Sequence, residues 1–292
     1  MKLLTTISLL AAAVPPTVSS RPNKNARQAI GSGSGPYPAV YTTSPALTNH
    51  TIYAPTTPFD TASPLLVWGN GGCSANGTRF ANFLTNIASY GYIVIANGPP
   101  NGDGDTTAQM MTDAIDWAEG QTSSSTESIY SDIDLGAIAV AGQSCGGLET
   151  YQMRDDERVR FLGIFNSGFI ADGSFSGLPD DGPMLEAPET ISEVHKPVFY
   201  FLGGPTDVAY PNGEKDYAAL EGVPKWIGNY PVGHSGTYQE VDGGAFGVAA
   251  VHWLEWVFKG DEAAVAFFTE GGAERAGWNE TKSEGLDRLG EY

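Results

Sequence analysis

Residues 138–147, Ile-Ala-Val-Ala-Gly-Gln-Ser-Cys-Gly-Gly, constrain the fold of this chain more than any other stretch. An apolar run ends on Gly142-Gln143-Ser144-Cys145-Gly146, and a helix-like segment follows. The pattern reads as buried strand, sharp turn and helix. Such a turn holds its serine in a strained backbone conformation. Side chains two positions to either side would collide there, which gives glycine at 142 and 146 a steric reason. The bare G-x-S-x-G pattern is weak: with 37 glycines in 292 residues, chance produces it in about a third of such chains. Its weight depends on what stands around it.

The surroundings fit a mostly parallel sheet. Pro64–Trp68, Tyr92–Ala96, Phe161–Phe165, Pro197–Leu202 and Trp226–Tyr230 are short apolar runs, the last of them expected to be the final strand. They are continuous instead of alternating, as strands buried on both faces are. Helical spacing separates them around residues 80–88, 106–118, 148–154 and 212–220, with two more helices expected at 246–258 and 262–268. Strands alternating with helices indicate an α/β domain. It spans 38–292, with His50–Tyr53 as an early strand and 169–196 as a long irregular connection.

Two segments precede that domain. Lys2, an apolar stretch from Leu3 to Val14, and the small residues Val18-Ser19-Ser20 make 1–20 a secretion signal, too short to span a membrane. Residues 21–37 are polar and Gly/Ser-rich and read as a flexible leader. Asn49, Asn76 and Asn279 each open an Asn-X-Thr sequon, so the expected product is a secreted, extracellular glycoprotein. Fifteen basic against 34 acidic residues give a net charge of −19. That balance argues against nucleic acid and anionic membranes as partners.

Ligands of open α/β sheets bind beyond the carboxyl ends of the strands, so functional residues should directly follow strands. Ser144 does. A serine nucleophile needs a base, and the base needs an acid to orient it. Of the four histidines, His50 lies near the N-terminal edge, His195 precedes a strand and His252 sits within an apolar helix. His234, in Gly233-His234-Ser235, follows the expected final strand and is the candidate base. Asp207 follows the strand ending at Leu202 and is the candidate acid, although an aspartate there also suits a helix cap. The order Ser144, Asp207, His234 is that of the nucleophile-elbow hydrolases.

An oxyanion hole needs two backbone N–H groups. Cys145, after the nucleophile, offers one. Asn70 or Gly71, in the turn Gly69-Asn70-Gly71-Gly72, offers the other. The only two cysteines are Cys73, in that turn, and Cys145. In an oxidising compartment a bond between them is expected, the alternative being two buried free thiols. No His/Cys cluster suggests a metal, and no phosphate-binding glycine loop suggests a nucleotide, so no cofactor is expected.

Trp68-Gly69-Asn70-Gly71-Gly72-Cys73, Gly142-Gln143-Ser144-Cys145-Gly146-Gly147, Gly204-Pro205-Thr206-Asp207 and Val232-Gly233-His234 resemble, in this order, the α/β-hydrolase superfamily. The similarity covers roughly residues 45–270. It is closest to secreted fungal serine esterases related to dienelactone-hydrolase-like, chlorophyllase-like and polyester-hydrolase (cutinase-like) enzymes. The resemblance implies an eight-stranded sheet without a large cap domain and a Ser-His-Asp triad. It also implies a cofactor-free monomer acting on small-molecule or polymeric carboxylic esters. The Gly-Asn-Gly-Gly turn and Cys145 depart from the polyester-hydrolase pattern, which has a Pro-Gly-aromatic turn and usually a methionine after the serine. A reading of another class is a secreted binding or effector protein on the same scaffold, its site intact but idle.

Overall fold

The computed structural model describes residues 31–57, 61–124, 128–169 and 188–292. The signal segment, residues 21–30 of the leader and most of the irregular connection lie outside them.

The apolar runs assemble into one nine-stranded sheet. The strands are β1 (Ala39–Ser44), β2 (Leu47–Pro55), β3 (Ser63–Gly69), β4 (Ile93–Asn97), β5 (Ile133–Gln143), β6 (Val159–Phe165), β7 (Val198–Leu202), β8 (Lys225–Asn229) and β9 (Asn279–Glu284). Their spatial order is β1-β2-β4-β3-β5-β6-β7-β8-β9. Strands β3 to β8 run parallel to their neighbours, while β1 on β2, β2 on β4 and β9 on β8 are antiparallel. The chain passes from β3 to β4 on one side and then to β5 on the other. The order therefore reverses at β3, the position where such sheets open a crevice at their carboxyl ends.

Among the described residues seven helices flank the sheet: α1 (Ala81–Ala88), α2 (Ala108–Thr122), α3 (Cys145–Gln152), α4 (Tyr210–Ala219), α5 (Gly244–Lys259), α6 (Glu262–Thr269) and the short α7 (Gly272–Arg275). Alternate residues of each central strand enter different cores. Leu66, Trp68, Val94, Ala96, Ala139 and Ala141 pack with α1, α5 and α6. Leu65, Val67, Ile93, Ile95, Ile138 and Val140 pack with α2 and the far side. Both faces are buried, so no polar alternation survives in the sequence. Trp68, which by sequence suits either a substrate pocket or the core, is wholly buried among Phe80, Phe83, Phe165 and Tyr238.

Three expectations need correction. The sheet has nine strands instead of eight, and β8 is not the final one. The added strand, Asn-Glu-Thr-Lys-Ser-Glu, is polar and largely exposed. Charged residues suit an outermost strand because they discourage pairing with another chain, but they hide it from any search for apolar runs. The elbow helix also starts at Cys145, three residues earlier than the apolar pattern places it. At the other end, residues 34–37 lie along the end of α1. Ser34 N–H donates to Asn86 Oδ1, Gly35 N–H to Ser89 Oγ and Tyr37 N–H to the Ser89 carbonyl, each at 2.9 Å. A Cβ on Gly35 would stand 2.3 Å from that carbonyl oxygen, so glycine here permits close approach.

Candidate active site

Ser144 sits between the end of β5 and the start of α3 with φ 56° and ψ −118°. A serine at positive φ is strained and persists only when its surroundings hold it. They do: its N–H donates to the Phe165 carbonyl at 2.9 Å, and its own carbonyl accepts from Gly147 N–H at 2.9 Å and Ser167 Oγ at 2.7 Å. The flanking glycines are sterically required. A Cβ on Gly142 would meet the Gly146 backbone at 2.2 Å, and one on Gly146 the Gly69 backbone at 2.1 Å.

The structure brings Ser144, His234 and Asp207 together. His234 Nε2 lies 2.9 Å from Ser144 Oγ, and its Nδ1 lies 2.6 Å from Asp207 Oδ1. The aspartate side chain is fully buried, and the imidazole is 29% exposed. Burial alone would raise the Asp207 pKa. Donors from His234, Asn166 Nδ2 (2.8 Å), Ala209 N–H (2.9 Å) and Gly203 N–H (3.0 Å) outweigh it and hold the carboxyl below its usual range. An ionised Asp207 can only accept, so Nδ1 carries the proton and Nε2 faces the serine hydroxyl with a free lone pair. That is the tautomer a general base requires.

The other histidines stand apart. His50 is buried with Nε2 2.8 Å from the Met110 carbonyl, His195 is exposed before β7, and His252 stacks on Phe267.

Asn70 and Gly71 follow the end of β3, and Cys145 follows the end of β5 beside it, where Gly69 and Gly142 are paired in register. Cys145 opens α3, and Gly71 opens the 3₁₀ turn Gly71–Cys73 behind Asn70. The first N–H groups of a helix have no partner within it, so both turns present amides. The Asn70 side chain is occupied elsewhere: Nδ2 donates to the Asn97, Ser74 and Asn76 carbonyls at 2.7, 3.0 and 3.2 Å. With Nδ2 so engaged, only the Asn70 backbone N–H is left to donate to a ligand. Cys73 and Cys145 form a disulfide with Cα atoms 5.2 Å apart, joining the two turns. The sequon residues Asn49 and Asn279 are exposed, whereas Asn76 is half-buried, its Oδ1 accepting from Thr78 Oγ1 at 3.0 Å.

Several residues at the site escaped the reading of the sequence. Asn166, at φ 45°, holds Asp207 and accepts in turn from the Tyr238 hydroxyl. It directly follows β6, so the rule that selected Asp207 applies equally to it. Gln143 reaches across the turns, donating to the His234 carbonyl at 3.1 Å, and its Oε1 fills the space a Cβ on Gly71 would take. Glu149, on α3, is completely buried. Thr106 Oγ1 donates to its Oε1 at 2.5 Å and Asn97 Nδ2 to its Oε2 at 3.1 Å. Burial pushes its carboxyl up to about 7 despite those two donors.

No protein-family profile matches this chain, and no curated protein is similar to it. Among the described residues no helix is long and apolar enough to cross a membrane.

Proposed function

We propose that the chain is a secreted serine hydrolase of the α/β-hydrolase type that cleaves carboxylic esters. The single observation that carries the reading is the hydrogen-bonded series Ser144 Oγ, His234, Asp207, closed by four donors on the aspartate. The strand order, with its reversal at β3, and the triad order along the chain agree with it.

In this reading His234 Nε2 takes the proton as Ser144 Oγ attacks the ester carbonyl. Asp207 stabilises the imidazolium without itself becoming protonated. The negative charge on the carbonyl oxygen is met by the Cys145 amide and by that of Asn70 or Gly71. His234 then protonates the departing alkoxide, and water attacks the acyl-enzyme by the same route in reverse.

A fluorophosphonate probe and a series of p-nitrophenyl esters of increasing chain length test the reading. The expected result is stoichiometric labelling and ester turnover, both lost in Ser144→Ala. A folded wild-type chain that neither labels nor turns over an ester refutes the assignment and favours a binding protein.

A further inference from the structure

Glu149 is a buried carboxyl with no lysine or arginine among its described partners. An apolar residue would fill the same space without desolvating an acid, so what it holds is informative. It stands one helical turn after Cys145 and on the same face of α3. Both of its partners belong to the segments that frame the oxyanion turn. Asn97 ends β4, and its carbonyl receives Nδ2 of Asn70 at 2.7 Å. The Thr106 N–H donates to the Cys73 carbonyl at 2.7 Å. One side chain on the elbow helix thus reaches the opposing turn by two routes, through Asn97 to Asn70 and through Thr106 to Cys73.

The network has few donors. Asn70 Oδ1 and Asn97 Oδ1 are buried and find no hydrogen-bond partner among the described residues. The Thr106 hydroxyl and the Asn97 amide donate to Glu149. Removing its oxygens leaves both donors without that acceptor, at the base of a turn whose backbone must hold a fixed direction.

We propose that Glu149 is a positioning residue for the oxyanion turn: through Asn97 and Thr106 it sets where the 70–73 backbone points relative to Cys145 N–H. The inference rests on the hydrolase reading above. A misdirected turn weakens contacts made in the transition state more than contacts to bound substrate, so the loss belongs in kcat. Removal of one oxyanion donor costs about 10²–10³ in rate, and a ~1 Å misplacement about 10². A turn loosened but not lost should cost about tenfold to a hundredfold.

The test compares wild type, Glu149→Leu, Thr106→Val and Thr106→Ser for kcat and KM on one p-nitrophenyl ester, with circular dichroism to check folding. The expected result is a fall in kcat of about tenfold or more for Glu149→Leu, which removes both acceptor oxygens, and for Thr106→Val. KM stays within about twofold, and Thr106→Ser, which keeps the hydroxyl, regains most of the rate. A folded Glu149→Leu with wild-type kcat, or one whose loss lies in KM, overturns the proposal. Should Glu149→Leu fail to fold, the Thr106 pair decides, and equal kcat for Val and Ser overturns it. A wild type that neither labels with fluorophosphonate nor turns over refutes the hydrolase reading and this proposal together. An active wild type beside an equally active Glu149→Leu refutes this proposal alone.

Discussion

Replacing both cysteines by alanine separates what the Cys73–Cys145 bond contributes to stability from what it contributes to the site. The bond links residues 72 apart in sequence. In the chain-entropy description, closing a loop of that length restricts the unfolded ensemble by about 4 kcal/mol at 25 °C. Both residues are buried, so losing two sulfur atoms adds a smaller packing cost in the same direction. For a domain of this size each kcal/mol moves the midpoint by about 2–4 °C, which predicts a fall in Tm of about 8–16 °C. Urea denaturation followed by tryptophan fluorescence measures the free energy, and ester turnover at 15 °C, below the shifted transition, measures the site. Because the bond spans the two turns that offer amides, kcat should fall more than KM. A free-energy loss below about 1 kcal/mol, together with unchanged kcat, would refute the view that the bond restrains either the unfolded chain or the crevice.

Asp207→Asn leaves the shape of the site intact but removes the acceptor that fixes the His234 tautomer. Turnover should fall by about 10³–10⁴-fold, the order seen when a triad aspartate is so changed, and a loss below tenfold in steady-state kinetics counts against the triad. Gly71→Ala places a Cβ 1.8 Å from Gln143 Oε1. Fluorophosphonate labelling should slow markedly there, and a rate equal to wild type would show that Gln143 and the turn are not packed as described. Stability should also depend on pH. Burial raises the carboxyls of Glu149 and Asp216 to about 7, so the folded chain binds more protons than the unfolded one between about pH 4 and 7. Folding free energy therefore falls as pH rises through that window, on the order of 3 kcal/mol per group. Asp207, held low, works oppositely and loses its contribution only in stronger acid. Urea midpoints should be higher at pH 5 than at pH 8, with part of the difference gone in Glu149→Gln. A midpoint that rises to pH 8 contradicts this.

What was legible in the sequence follows a physical rule. Ser144, Asp207 and His234 each come within a few residues of an apolar run, and a buried parallel strand cannot be written without one. Three of the four histidines fell away on the same positional test. The Cys73–Cys145 pairing was legible because two cysteines leave one intrachain choice. Strand β9 was not legible, since an exposed edge strand carries no apolar signal. Nor were the partners of Asp207 and Glu149. Asn166 and Tyr238 are 72 residues apart, and Glu149 differs from any surface glutamate only through burial and through Asn97 and Thr106, 52 and 43 residues away. Such contacts exist only after the sheet has assembled.

The glycines of the elbow carry a consequence for how a protein of this kind can change. At Gly142 and Gly146, strand β5, helix α3 and strand β3 meet main chain to main chain: the space a Cβ would need at Gly142 is held by the Gly146 backbone, and at Gly146 by the Gly69 backbone. The position of Ser144 is therefore set largely by main-chain contacts, together with the Ser167 hydroxyl that donates to its carbonyl. The aromatic cluster around Trp68 reaches Ser144 through the Phe165 carbonyl that accepts from its N–H, and the opposite core reaches the junction through Met111 against Gly69. Mutations elsewhere in either core, away from Phe165 and Met111, can alter stability while leaving the Ser144 hydroxyl in place. Gly142 and Gly146 themselves allow no drift, and a saturation scan should find them intolerant next to a more permissive core.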